Sequence, residues 1–144
     1  MIKYEIKPAN SEHISKLIKY KLGSIIDYAE NLPKDELDQI TSYVKESIPS
    51  QLKDYKVIYL DNELIGCLFL SKEKDGILLD EIYLEENYRN KGIGTSIIKE
   101  IILQNKIIYL WVYKKNNKAI SLYRKLGFQV IEETDSRYYM RYVK

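Results

Sequence analysis

The stretch from Leu79 to Ser96 constrains this chain more than any other. It begins as an apolar, strand-like run with two acids inside it, Leu79-Asp80-Glu81-Ile82-Tyr83-Leu84. It then passes through a polar turn into Arg89-Asn90-Lys91-Gly92-Ile93-Gly94. The residues that follow, Ile97 to Leu103, carry helical spacing. A strand, a glycine loop and a helix start together make an anion-binding junction. The first turn of a helix has N–H groups without helical partners and a positive dipole end, and glycines let a phosphate approach the backbone. The stretch predicts a diphosphate-bearing ligand at residues 89 to 95, although on local sequence alone the two glycines fit an ordinary strand-to-helix turn equally well.

Two common phosphate loops do not fit. The dinucleotide fingerprint requires a third glycine three residues after the second, where this chain has Ile97. The nucleoside-triphosphate loop requires Gly-Lys-Ser or Gly-Lys-Thr, and no such run occurs.

A chain of 144 residues with 45% hydrophobic and 31% charged residues is a soluble globular sequence that can bury a core without disulfides or metals. With 23 Lys and Arg against 21 Asp and Glu, the net charge of +2 gives no strong field and argues against nucleic acid as a partner. No apolar run approaches ~18 residues and the first residues show no signal-peptide core, so neither a membrane nor export is expected and the cytoplasm is the expected location. Cys67 is alone, within the hydrophobic run Ile65 to Leu70, and reads as a buried inert thiol. His13 falls in an early amphipathic helix and reads as a satisfied or surface histidine, which leaves no metal site.

Taken in order, Met1 to Lys7 alternates apolar Ile2, Tyr4 and Ile6 with charged residues and predicts an edge strand. Asn10 or Ser11 caps a helix bearing Ile14, Leu17, Ile18 and Leu22, with Gly23 as its break. Pro33 suits the first turn of a second helix, whose stripe of Leu37, Ile40, Val44 and Ile48 ends before Pro49. Tyr55 to Leu60, the turn Asp61-Asn62 and Glu63 to Leu70 form a hairpin. Lys74-Asp75-Gly76 then turns into Ile77 to Leu84, giving a three-stranded antiparallel meander. A helix from about Ile93 to Leu103 and an apolar strand, Ile107 to Tyr113, predict a right-handed parallel crossover. A further helix near Asn117 to Leu126 stops at Gly127, and strands follow at Phe128 to Glu132 and Arg137 to Val143.

The segment Asn116-Asn117-Lys118-Ala119-Ile120-Ser121-Leu122-Tyr123-Arg124-Lys125-Leu126-Gly127-Phe128, together with Arg89-Asn90-Lys91-Gly92-Ile93-Gly94, resembles the GNAT superfamily of acetyl-CoA-dependent N-acetyltransferases. The motifs cover residues 77 to 130 and the order of elements agrees along the whole chain. The resemblance implies a single α/β N-acetyltransferase domain over residues 1–144. It implies a mixed central sheet of about seven strands, flanking helices and a splayed parallel strand pair. It places the coenzyme pyrophosphate at Arg89, Asn90, Lys91, Gly92, Ile93, Gly94 and Thr95. The pantetheine arm falls beside Ile82, Tyr83 and Leu84, with Asn116 contacting the arm and Tyr123 near the thiol. Lys114, Lys115 and Lys118 read as a solvated basic turn that can assist with phosphates.

Acetyl transfer from a thioester to an amine makes unequal demands. A lysine-like amine with a pKa near ~10.4 is neutral in only about one molecule in 2500 at pH 7, a deficit of roughly 4.6 kcal/mol, whereas a thiol near ~8.5 leaves more easily. A base therefore matters more than an acid. By resemblance Tyr123 is the acid that protonates the departing thiolate, although among 14 tyrosines simple packing against Ile120 is the competing reading. Asp80 and Glu81 must point to opposite faces of a strand, and Glu81 is preferred as the base. The pair is similar in placement to the acidic pair of polyamine acetyltransferases. Where acetyltransferases of ribosomal-protein N-termini carry a glutamate on the later strand this chain has Trp111, which weighs against that acceptor.

The expected function is direct transfer from acetyl-CoA to a primary amine, preferably of a small cationic molecule. Acetylation of a protein N-terminus or lysine is one alternative, and a catalytically inactive acetyl-CoA-sensing or interaction module is another. The segment Ser11 to Ile48, which should shape the acceptor pocket, has no readable motif, and the oligomeric state, a homodimer included, stays open.

Overall fold

The computed structural model describes residues 3–28 and 31–144. The strands form a seven-stranded mixed sheet in the order β1-β2-β3-β4-β5-β7-β6. They are β1 Tyr4–Pro8, β2 Tyr55–Leu60, β3 Glu63–Glu73, β4 Gly76–Leu84, β5 Ile107–Tyr113, β6 Gln129–Glu133 and β7 Arg137–Val143. The helices are α1 Ile14–Tyr28, α2 Lys34–Gln51, α3 Ile93–Gln104 and α4 Asn117–Lys125. By internal contacts the chain divides into two compact units, Met1–Phe69 with Tyr83–Asn87, and Leu70–Ile82 with Tyr88–Lys144. Met1 and Ile2 of the expected first strand lie outside the described residues.

In the first unit, α1 and α2 bury Leu17, Tyr20, Val44 and Ile48 against Tyr55, Val57, Cys67 and Phe69. The odd positions of β2 and β3 supply the sheet side of this core, because alternate strand residues share a face. The hairpin turn Asp61-Asn62 has φ of 50° and 67°, the two left-handed residues that a tight right-twisted hairpin requires. Cys67 is fully buried. His13 is also buried: the Asn10 N–H donates to its Nδ1 at 3.0 Å, and Nε2 lies 2.9 Å from the Tyr59 hydroxyl. It closes a capping box with Asn10.

Two breaks expected from sequence do not occur. Gly23 lies inside α1, where a Cβ would meet the Tyr83 hydroxyl at 3.2 Å, so this glycine permits a close approach instead of ending the helix. Pro49 lies inside α2, which continues to Gln51. In the last turn a proline forfeits one backbone hydrogen bond, and burial of Val44 and Ile48 outweighs it. Pro33 is the N-cap residue of α2, one position ahead of the first turn, and its carbonyl accepts from the Leu37 N–H at 3.0 Å.

In the second unit β5 pairs antiparallel with β7 along its whole length, from Ile107↔Val143 to Tyr113↔Arg137. Its other edge runs parallel to β4. Gly76 opens β4 because a Cβ there would lie 2.3 Å from the Ile107 carbonyl oxygen. Ile93, Ile97, Ile98 and Ile101 bury one stripe of α3. Among the described residues no helix is long and apolar enough to cross a membrane.

Candidate active site

The parallel ladder between β4 and β5 consists of Ile77↔Ile108, Leu78↔Tyr109 and Leu79↔Leu110. It stops there, while β4 runs on to Leu84 and β5 to Tyr113. Beyond Leu79 and Leu110 the two strands are no longer paired, although β5 stays paired with β7 to Tyr113, which leaves a wedge between Asp80–Ile82 and Trp111–Tyr113. This is the splay that the sequence resemblance implies.

The glycine loop follows. Asn90 (φ 62°) and Gly92 (φ 86°) both take left-handed backbone, and Gly92 is the N-cap residue of α3. A Cβ on Gly92 would meet nothing within 4 Å, so the backbone faces open space where the helix begins. Ile93 is 2% exposed and pins the first turn, while Lys91 and Gly92 are exposed and Arg89, Gly94 and Thr95 half-buried. The Ser96 N–H donates to the Gly92 carbonyl at 3.0 Å as the first helical bond. An exposed glycine at the start of a buried-stripe helix presents backbone N–H groups and a positive dipole end to solvent, which suits a diphosphate.

α4 supplies the second set of groups. Asn116 is its N-cap residue, with Oδ1 accepting from the Ala119 N–H at 3.2 Å. Tyr123 is 7% exposed and its ring lies 5.7 Å from that of Phe128. Lys118 donates to Asn90 Oδ1, which joins α4 to the glycine loop. Lys114 turns elsewhere, 3.4 Å from Glu133 and over the Tyr138 ring. Lys115 is exposed.

Of the two acids on β4, Glu81 is buried at 7% exposure and Asp80 is exposed. Ile82, Tyr83 and Leu84 complete the strand and are half-buried. Among the described residues no cluster of three His, Cys, Asp or Glu is arranged to hold a metal.

Three groupings were not read from sequence. On β5 and β7, Trp111 lies 4.5 Å from Tyr139, which stacks on Tyr109 at 5.5 Å. The Tyr139 hydroxyl donates to Glu73 at 3.2 Å and the Tyr109 hydroxyl to Asp75 at 2.7 Å. Burial, then the Glu73 carboxylate, pushes Tyr139 up to about 12, while the hydrogen bond to Asp75 raises Tyr109 and lowers Asp75. In the first unit Tyr20 donates to Glu85, and burial followed by that carboxylate raises its phenol well above the ordinary value. The third is the bond from Lys118 to Asn90. Tyr109 and Trp111 on β5, like Arg137, Tyr139 and Arg141 on β7, stand at every second position, the spacing that puts each set on one face of its strand.

A family model described as an acetyltransferase (GNAT) domain matches residues 52–130. The spermine/spermidine N(1)-acetyltransferase of Bacillus subtilis (strain 168) is 32% identical over 92 residues, which cover 54% of this chain and 60% of that protein. The thialysine N-epsilon-acetyltransferase of Mus musculus is 37% identical over 97 residues, covering 64% and 57% respectively. The chain thus spans about three fifths of the length of these curated relatives. The PaiA N-acetyltransferase of Thermoplasma acidophilum, solved in complex with coenzyme A, matches 99% of this chain and 100% of its own with a TM-score of 0.80 at 21% identity.

Proposed function

The chain belongs to the GNAT acetyltransferase family, whose domain model covers residues 52–130, and we propose that it transfers acetyl from acetyl-CoA directly to the primary amine of a small cationic molecule. Residues 1–144 act in this reading as one acetyltransferase domain. The observation that carries it is the wedge beyond Leu79 and Leu110, together with the open backbone at Gly92. Arg89, Asn90, Lys91, Gly92, Ile93, Gly94 and Thr95 hold the diphosphate. The edge of Ile82, Tyr83 and Leu84 and the side chain of Asn116 hold the arm. Relatives named for spermine, spermidine and thialysine support a small amine as acceptor.

Acetyl-CoA supplies the activated acyl group, and the chain supplies two proton movements. An ammonium cannot attack, so Glu81, directly or through a water, takes one proton before the nitrogen bonds to the acyl carbon; the second N–H proton, made acidic by that bond, leaves as the carbon–sulfur bond breaks and restores the one that Tyr123 gives up. When the carbon–sulfur bond breaks, the Tyr123 hydroxyl gives its proton to the departing thiolate. Each such group contributes typically about 10² to 10⁴ in rate. Buried Glu81 suits the base better than exposed Asp80, because a carboxylate drawn out of water takes up a proton more readily than a hydrated one.

Coenzyme release from acetyl-CoA against a panel of polyamines, aminoglycosides, amino acids and short peptides tests the reading. Turnover with a small amine, lost in Tyr123→Phe and Glu81→Gln, is expected. Turnover with peptides alone would shift the acceptor to protein, and tight acetyl-CoA binding without any turnover would remove the transferase reading.

A further inference from the structure

Trp111 is the first residue of β5 beyond the last pair with β4, so it stands where the wedge opens. On its other edge it pairs with Tyr139. The Trp111 ring rests against Tyr139, Tyr139 stacks on Tyr109 with planes 11° apart, and the hydroxyls of both tyrosines are tied to Glu73 and Asp75. The indole is therefore backed by a fixed aromatic layer flanked by two carboxylates, while remaining only half-buried itself.

Its face already takes a cation. The Arg137 guanidinium lies 4.7 Å from the indole centroid. Arg137 opens β7, where its N–H donates to Thr134 Oγ1 at 3.0 Å and its carbonyl accepts from the Thr134 N–H at 2.8 Å. The backbone there is fastened, so the long side chain alone has to move to uncover the ring. A cation over indole is held by the ring's quadrupole, a demand that an aliphatic ammonium also meets.

We propose that the face of Trp111 is a subsite for a cationic group of the acceptor, and that Arg137 occupies it until the acceptor arrives. The proposal rests on the amine-transfer reading above and deepens it by naming the residue that selects for positive charge.

Trp111 is the one tryptophan of the chain, so its emission reports on the subsite without any turnover. Spermidine is titrated into the full chain with acetyl-CoA absent, with an uncharged diol of matched length as control, and coenzyme release is followed separately. A saturable emission change with spermidine and none with the diol is expected. Arg137→Gln should lower the half-saturating spermidine concentration by about two- to tenfold, the range of a cation–π contact. Trp111→Leu should raise the KM for spermidine while leaving the KM for acetyl-CoA unchanged. Flat emission at saturating spermidine overturns the subsite, and so does an Arg137→Gln variant that binds spermidine more weakly. A saturable change without coenzyme release from any amine would support the subsite and remove transfer, so the two failures are distinguishable. The emission arm needs no variant, which keeps the test open if Trp111→Leu does not fold.

Discussion

Lys118, in the first turn of α4, donates a hydrogen bond to Oδ1 of Asn90, whose backbone takes the left-handed conformation ahead of α3. The bond fastens the glycine loop to the helix that carries Tyr123. At an exposed site a hydrogen bond of this kind contributes about 0.5 to 1.5 kcal/mol. Lys118→Met should therefore weaken acetyl-CoA binding by about two- to tenfold, measured by titration calorimetry, with little change in melting temperature. Unchanged affinity would mean that the loop keeps its shape without the lysine.

Two glycines should fail in different ways. At Gly92 the φ of 86° penalises a Cβ, while the space around it is open. Gly92→Ala should fold with a stability loss of about 1 to 2 kcal/mol, and its methyl should stand where the diphosphate approaches, raising the Kd for acetyl-CoA by about tenfold or more. At Gly66 a Cβ would lie 2.0 Å from the Tyr83 carbonyl oxygen, which is backbone and cannot turn away. Gly66→Ala should yield no folded protein by circular dichroism. A Gly92→Ala chain that binds acetyl-CoA normally would remove the loop from the coenzyme site.

Alkaline pH should destabilise the chain in a defined window. Tyr139 is pushed from the ordinary phenol value of 10.0 up to about 12, first by burial and then by Glu73. A raised folded value means that the folded state favours the protonated form. The associated stability is complete below about pH 10, and it is lost as pH rises through about 12. Tyr109 and Tyr20 are shifted in the same direction and add to the trend. Melting temperature followed with tyrosinate absorbance should fall across this window, and less steeply in Tyr139→Phe. An equal slope in that variant would mean that Tyr139 ionises as an ordinary phenol.

Much of this architecture was legible because local chemistry and tertiary packing agree. β2 and β5 have the bounds that the sequence pattern assigns, since Asp61-Asn62 supplies the turn for one and an unbroken apolar run defines the other. Gly23 and Pro49 misled because rules for helix breakers describe an isolated helix. In the chain Gly23 accommodates Tyr83, and Pro49 falls in a turn anchored by Ile48. The Tyr20–Glu85 and Tyr139–Glu73 bonds join residues 65 and 66 positions apart, a pairing that no local pattern reports. The acidic pair was legible as a pair, but which member is buried depends on the neighbours of β4.

That burial makes the acids separable by experiment. Glu81 is 7% exposed and Asp80 is exposed, so they should differ as bases although they are adjacent. Glu81→Gln should lower kcat at neutral pH by about 10² to 10⁴, and Asp80→Asn by much less. In the mechanism proposed above, the Glu81→Gln chain depends on amine that is already neutral, a fraction that grows about tenfold per pH unit up to the amine pKa near ~10.4. The Glu81→Gln rate should therefore climb toward that of the unmodified chain as pH rises, whereas Tyr123→Phe, which lacks the proposed acid, should not recover. A pH–rate profile of the three variants decides the assignment. If Asp80→Asn shows the large loss and the alkaline recovery, the exposed acid is the base and Glu81 serves packing.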